Sequence, residues 1–411
     1  MFKTIQNCVI IFIIIVLLGF ILMCVTYSMP NDNIYNNVIK DTNMFDTLYP
    51  RLIPGDPATI IDVYTESKII TELLDRNEYA SSVKNAMAVF SITPKDFNSF
   101  INGNTNVTWE YPRYWHGYLV GYNILFNFFD YTGVKIINLL FELVLIIGIL
   151  KSMLDKNLKN YIIPFVMSLF FIHPEVIGFT LDYAPVFNVM LISVYILLKF
   201  KDKLFVNNNL IYYFMIIGMC TSFFDFLTFP LICLGAPLVF YLLLENNNLS
   251  LKEIIVKILL FACVWAIGYA GMWISKWIIA SIVLNQNVVL NAFSVVSVRS
   301  SVQGVSRFDA LFKNILIYNN NFYYMVIMGL VGIYYIIRLI KVKECLTVKK
   351  LKETIPLLLI CITPFLWYIL VSNHSYIHYW MTYRILFVFF FAIMCALEYL
   401  IMKNEVRDPT P

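Results

Sequence analysis

Long apolar stretches separated by short polar gaps set the rhythm of this chain. The first, "CVIIFIIIVLLGFILMCV", carries no charge. Crossing a hydrocarbon core of about 30 Å takes roughly 18 or more apolar residues in a helix. Stretches near that length recur at 5–27, 133–151, 161–178, 184–199, 209–223, 228–244, 256–280, 322–340, 355–371 and 385–402. They are continuous, whereas strands of a membrane barrel alternate apolar and polar positions. Only helices and closed barrels satisfy their backbone in lipid. The pattern therefore predicts an all-α polytopic membrane protein with about ten transmembrane helices. The first stretch is too long for the core of a signal peptide and lacks a small-x-small cleavage site, so it reads as a retained span.

Between the first two spans lies a polar region, 28–132, rich in Asn and Asp. It divides the chain into a first helix (1–27), a large extracytoplasmic loop (28–132), a bundle of about nine helices (133–402) and a cytoplasmic tail (403–411). Within the loop, "TIIDVYTESKIITELLDRNEYASSVKNAM" carries Ile60, Ile61, Tyr64, Ile69, Ile70, Leu73 and Leu74 in a helical stripe, which predicts an amphipathic helix. The loop closes with "WHGYLVGYNILFNFFD", apolar but short for a span and suited to a re-entrant or interfacial helix.

Charge orients this arrangement. Lys3, Lys151, Lys156, Lys159, Lys199, Lys201, Lys203, Lys252, Lys257, the group "RLIKVKECLTVKK", Lys403 and Arg407 fall on one side. The opposing short loops near 173–183 and 224–228 have no Lys or Arg. Cytoplasmic loops collect basic residues, so both termini are expected in the cytoplasm and the large loop outside. Composition agrees: 60% of residues are hydrophobic and only 14% charged, where a soluble domain has nearer a quarter. The net charge of +4 follows the topology and points to no nucleic-acid partner. None of the eight cysteines sits clearly in an exported loop and there is no CxxC, so no disulfide framework or zinc site is expected. Usage rich in Asn, Ile, Lys and Tyr is common in low-GC bacteria and places the chain in a bacterial plasma membrane. The sequon at Asn106 would then be unused.

With this topology the unusual ionisable residues gather outward. Arg113 and His116 lie in "YPRYWHGY", Asp225 in "TSFFDFLTFP", Lys276 in "YAGMWISKWIIASIVL", Arg299 and Arg307 in "FSVVSVRSSVQGVSRF", and His374, His378 and Arg384 in "SNHSYIHYWMTYR". His173, Glu175 and Asp182 fall on the same side. All four histidines map there and none to the inner side, which simple interfacial anchoring does not account for. Asp62 and Glu66 stand four apart on the loop helix. Acids near a helix start are commonly just solvated, but here they are the leading candidate bases, ahead of Asp46 and Asp56. Asp62, Glu66, His374 and Arg384 are expected to line one outward cavity.

A carboxylate base, cations for a phosphate and histidines for sugar hydroxyls suit transfer of a sugar from a lipid phosphate. Trp109, Tyr111, Tyr114 and Trp115 could stack on sugar rings or anchor the interface. His374-x-x-x-His378 has the spacing of two ligands on one helical face, yet no Glu lies between them. The chain resembles the GT-C superfamily of integral membrane glycosyltransferases in its cytoplasmic N-terminus, its large first outer loop with short helices and acids, and its basic outer loops. The paired acids that superfamily often carries early in this loop are missing here; "DVYTE", Asp62 to Glu66, is the nearest substitute. The resemblance implies a polyprenyl-phosphate-linked sugar donor, a glycan acceptor outside the cytoplasm and, in some members, a Mg2+ or Mn2+ ion. By the same analogy Arg299, Arg307, His374, His378 and Arg384 would be phosphate or sugar ligands, with Arg113, His116, Asp225 and Lys276 beside them. A lipid-linked glycan flippase or transporter, and a polysaccharide polymerase, are the rival readings.

Overall fold

The computed structural model describes residues 2–245, 249–300 and 306–405. The end of the expected tail, 406–411 with Arg407, lies outside the described residues, as do residues 301–305 of the Arg299–Arg307 stretch. Among the described residues, six helices are long and apolar enough to cross a membrane: Phe2–Thr26, Tyr131–Asp155, Leu251–Leu284, Phe322–Lys341, Val348–Leu370 and a stretch within Tyr379–Met402. Shorter apolar helices span Ala184–Lys199, Asn209–Phe224 and Ile232–Leu244, and a broken one covers Ile162–Phe170 and Pro174–Gly178. The protein is thus a multi-pass, all-α membrane protein.

Local chemistry sets several of these boundaries. Asp130 caps Tyr131–Asp155 by accepting from the Gly133 amide at 2.8 Å. Ser250 and Glu253 form a reciprocal capping box at the start of Leu251–Leu284. That helix has 34 residues, so it runs roughly 50 Å at ~1.5 Å per residue and overshoots a hydrocarbon core. The overshoot carries Lys276 and Trp277 up among the loop residues. The stretch expected as one span at 161–178 is interrupted at His173, which adopts a left-handed backbone (φ +57°) before Pro174 opens a new short helix.

Between the first helix and Tyr131–Asp155, the chain forms short helices and a two-stranded antiparallel ribbon that pairs Phe90–Ile92 with Thr108–Glu110. The single amphipathic helix expected from the stripe is divided. Val63–Leu74 starts after the Asp62 cap, and Ser82–Ala88 starts after the Ser81 cap, with an extended break at Asp75. The apolar segment before Tyr131 contains a nine-residue helix, Tyr118–Phe126, roughly 13 Å long.

Two apolar cores result. One fills the bundle around the Ala184–Lys199, Ile232–Leu244 and Leu386–Glu405 helices. The other joins the loop elements to Phe2–Thr26 and to the C-terminal halves of Asn209–Phe224 and Leu251–Leu284. Contacts run from Asn208 Nδ2 to Thr4 Oγ1 (2.7 Å) and from Lys156 to Asp202 (3.7 Å), at the bundle end remote from the loop elements. The candidate site lies at the other end, where loop and bundle meet.

Candidate functional site

A cavity of about 110 Å3 opens between the loop elements and the bundle. Asp62, Lys68, Asp182, Arg299, His374 and His378 bring its charge and hydrogen-bonding chemistry, and Tyr49, Tyr111, Tyr114 and Trp380 give it aromatic walls. These groups come from five separated parts of the chain.

Asp62 is 1% exposed, so it is not the solvated acid its place at a helix start allows. One oxygen caps the Thr65 amide at 3.0 Å. Burial lifts its carboxyl to about 6; the Thr65 amide opposes that rise and the Glu66 charge adds to it. Asp182, in the loop before Ala184–Lys199, is fully buried and neither of its oxygens has a hydrogen-bond partner. Burial first, then the charges of Asp62 and Glu66, push it well above the ordinary carboxylate range. The cavity therefore holds one carboxyl raised to about 6 and one pushed well above the ordinary carboxylate range.

Glu66 does not line this cavity. It accepts from the Leu181 amide at 2.8 Å and from Lys135 Nζ at 2.7 Å, and the Tyr131 hydroxyl also donates to it. Both oxygens are engaged, and the bond to Leu181 sets the backbone that presents Asp182. Glu66 is a positioning residue in this arrangement.

The stretch "SNHSYIHYWMTYR" works as a strap. Asn373 Nδ2 donates to Val298 O at 2.5 Å, and Ser372 Oγ donates to Ser300 O at 3.1 Å. These satisfy carbonyls left open at the end of helix Val288–Ser300. His374 Nε2 faces the Leu227 carbonyl at 2.7 Å and must carry the proton there, so Nδ1 accepts from Arg299 Nη1 at 2.9 Å. His374 thereby aims the Arg299 guanidinium into the cavity. Burial, with His378 and Arg299 adding, holds His374 well below the ordinary histidine value. Burial and the charges of Arg299 and Lys68 bring His378 down to about 4. Its Nδ1 is buried and without a partner, which leaves one hydrogen-bonding position of a cavity-lining imidazole open. Two neutral imidazoles at 4.7 Å between ring centres fit a hydrogen-bonding role better than a charged one.

Asp225 builds the turn behind this pair. It accepts from the Thr228 amide (2.9 Å) and hydroxyl (2.6 Å) across Leu227, whose φ is +69°. The turn delivers the Leu227 carbonyl to His374 and Thr228 to the cavity wall.

The remaining candidates lie outside the cavity lining. Arg384 is fully buried, donates to Trp380 O (2.7 Å) and Ala58 O (3.1 Å), and stacks on Tyr183 at 4.4 Å. It ties the loop to the last helix and lies close enough for its charge to oppose the rise at Asp182. His116 meets Glu72 at 3.1 Å and the Tyr118 hydroxyl at 2.5 Å, and its Nε2 faces Tyr111 O at 3.0 Å. Arg113 bonds Asn291 at 2.9 Å and lies over the Tyr111 ring. Lys276 donates to Ala86 O (3.0 Å) and Met87 O (3.2 Å), pinning Ser82–Ala88 to the long helix. Arg307 is exposed at the start of Arg307–Ile315.

Among the charged cavity residues, Lys68 is absent from those that sequence reasoning singled out, and Asp182 is placed by it on the outward side without a role. Asp182 follows an apolar stretch with no local motif. Lys68 lies on the loop helix over Tyr64, 4.8 Å from the ring centre, a pattern that in sequence reads as a solvated face. Among the described residues, no group of three or more His, Cys, Asp or Glu side chains converges as metal ligands.

Fold and site together define a multi-pass membrane protein with a buried acid, arginine and histidine cavity at one end of its bundle. Comparison with protein-family models, with curated proteins and with solved structures returned no match.

Proposed function

We propose that this protein is a membrane glycosyltransferase. It moves a sugar from a polyprenyl-phosphate-linked donor to a glycan acceptor on the extracytoplasmic face, in building an envelope polysaccharide or related glycan. The observation that carries this reading is the pairing, in one cavity, of two carboxyls with separated affinities for protons and an arginine oriented by a neutral histidine. Carboxyls pushed apart in this way divide the roles of base and hydrogen-bond donor.

In this scheme Asp62 takes the proton from the acceptor hydroxyl. The acceptor oxygen bonds to the anomeric carbon, and the bond from that carbon to the phosphate oxygen breaks. Polyprenyl phosphate leaves with the electron pair. Arg299 and Lys68 stabilise the charge that grows on the phosphate, which a dry site makes more effective than water would. Protonated Asp182 donates a hydrogen bond to the sugar, and His378 Nδ1 accepts one. Glu66, Asp225, His374 and Arg384 hold these groups in place. A Mg2+ or Mn2+ ion takes no part in this scheme, because an Asp182 that carries a proton cannot also serve as its ligand.

The reading includes ten membrane crossings, with both termini in the cytoplasm of a bacterial plasma membrane and 28–132 outside. Its support is the Lys-rich set of inner turns and the separation of those turns from the cavity. The four shorter or broken apolar helices then cross inside a protein shell, where they need less length facing lipid.

The test uses the full chain in nanodiscs with a panel of undecaprenyl-phosphate-linked hexoses and pentoses and an envelope-glycan extract. Release of undecaprenyl phosphate is expected with one donor, and Asp62→Asn and Arg299→Ala should each lower it about 10²–10⁴-fold. Movement of intact donor between leaflets of vesicles, with no covalent change, would overturn the reading in favour of a flippase.

A further inference from the structure

The nine-residue helix Arg307–Ile315 has two unlike sides. One side packs on the protein, where Ala310 and Asn314 are fully buried. Asn314 Nδ2 donates to Ser375 O at 2.9 Å, and its Oδ1 accepts from the Thr382 hydroxyl at 2.7 Å. Lys313 Nζ lies over the rings of Tyr376 and Tyr379, at 3.9 and 4.4 Å from their centres. These partners all belong to the stretch 372–384, which carries His374 and His378. The helix therefore backs the cavity histidines without itself lining the cavity.

The other side is apolar and bare. Phe308, Phe312, Ile315 and Leu316 recur at the spacing of one helical face. Phe308 is 61% exposed, Phe312 54% and Leu316 51%. The chain then runs through Leu316–Asn320 straight into the span Phe322–Lys341. Asn321, the cap of that span, donates to Asp56 at 2.8 Å, so this end of the span lies where loop and bundle meet. Phe322, Tyr323, Val326 and Leu330 are exposed along the span, and an apolar flank on a span faces lipid. The bare side of Arg307–Ile315 continues that flank at the level where the span leaves the hydrocarbon. Charge fits the same place. Asp309 is taken up in a capping box with Ser306, and the exposed Arg307 stands beside the apolar side, the pairing that surface-lying membrane helices carry.

We propose that Arg307–Ile315 lies flat in the headgroup layer on the cavity side of the membrane, with Phe308, Phe312 and Leu316 among the acyl chains, and that this docking on lipid holds the stretch 372–384 in place. The partner is the bilayer surface and not a second protein. Helices of this kind sink their apolar side roughly 5–10 Å into the boundary between headgroups and chains. The docking goes beyond the reading above and does not depend on it, since the contact forms whatever the cavity turns over. It makes lipid part of the frame of the site. Deprived of lipid, the apolar side would favour burial elsewhere, and the bonds through Asn314 and Lys313 would loosen.

Two measurements test this without turnover. In the first, a benzophenone amino acid takes the place of Phe312 in the full chain, which is irradiated in native membranes. A phospholipid adduct on the peptide of residues 307–315 is expected. An adduct with a second copy or another protein, or no lipid adduct, overturns the lipid surface as the partner. In the second, Phe312→Ser weakens the docking in nanodiscs and amide hydrogen exchange is followed. Exchange in residues 372–384 should quicken about tenfold, while Leu251–Leu284 keeps its rate and Phe312→Leu keeps the native rate in both. Unchanged exchange in 372–384, or equal quickening in Leu251–Leu284, overturns the hold on that stretch. A lipid adduct without sugar transfer by the native protein overturns the glycosyltransferase reading alone, and sugar transfer without a lipid adduct overturns the docking alone.

Discussion

Asp62 lines the cavity with a carboxyl lifted to about 6 by burial, so its charge changes within the range in which membrane enzymes are assayed. If it is the base, kcat/KM rises as pH increases through about 6 and levels off above it. Asp62→Asn should remove that limb. His378, held down to about 4, stays neutral across the same range, so His378→Gln should lower the rate and leave the limb in place. A limb that survives in Asp62→Asn, or shifts with His378→Gln, would exclude Asp62 as the base. Stability runs the opposite way. A carboxyl whose folded value is raised binds its proton more tightly in the folded state, so its contribution is full below about pH 4 and is lost as pH climbs to about 6. Much of this residue-level chemistry is readable from sequence, because Asp62, Arg299 and His374 stand out as ionisable groups among apolar neighbours. The separation of Asp62 from Glu66 is not. One helical turn apart, they share a face by spacing, yet Lys135 and the Leu181 amide, brought in from distant segments, claim Glu66. The part of Asp182 in the cavity is not readable for the same reason: its burial and the neighbouring charges exist only after folding.

Helix contacts decide how the site is held. Asn209–Phe224 and Leu251–Leu284 approach through two glycines. A side chain added at Gly218 would begin 2.1 Å from Trp265 O, and one at Gly268 would begin 2.4 Å from Met215 O. Both obstacles are backbone, which cannot turn aside, and small residues are how membrane helices reach this closeness. Gly218→Ala and Gly268→Ala should each destabilise the protein by ~1–3 kcal/mol, read as a lower Tm in detergent. Gly332→Ala is the control, since nothing lies within 4 Å of its added carbon and a helix interior favours Ala over Gly by ~0.5–1 kcal/mol. A Tm unchanged by Gly218→Ala would mean that these helices are not packed as described. At this scale the long apolar helices are legible by length alone. The breaks at His173 and Asp75 are not, because hydrophobic spacing continues across them while the backbone turns. The strap of residues 372–374 is also invisible to pattern: His-x-x-x-His spacing suggests metal ligands, but the partners of His374 are Arg299 and a carbonyl from another loop.

At the scale of the molecule, side of membrane connects every other claim. The cavity can meet a donor whose phosphate lies at the outer headgroups only if 28–132 is outside. Helices of 16 residues, such as Ala184–Lys199 and Asn209–Phe224, are roughly 24 Å long and fall short of a full core. Their burial against longer neighbours lets the bundle as a whole supply the thickness. Single cysteines at exposed positions test this directly. Asn104→Cys lies in the loop region, while Lys203→Cys lies in the short helix Lys201–Leu204 and Lys349→Cys in the first turn of Val348–Leu370, both among the basic residues. In intact cells a membrane-impermeant maleimide should label Asn104→Cys above the parent background. Lys203→Cys and Lys349→Cys should react only after the membrane is permeabilised. Labelling of all three from outside would break the even count of crossings. Labelling of Asn104→Cys only after permeabilisation would turn the cavity to the cytoplasm, where Asp62, Arg299 and their neighbours would meet substrates of the opposite face and the donor proposed for them would be the wrong one.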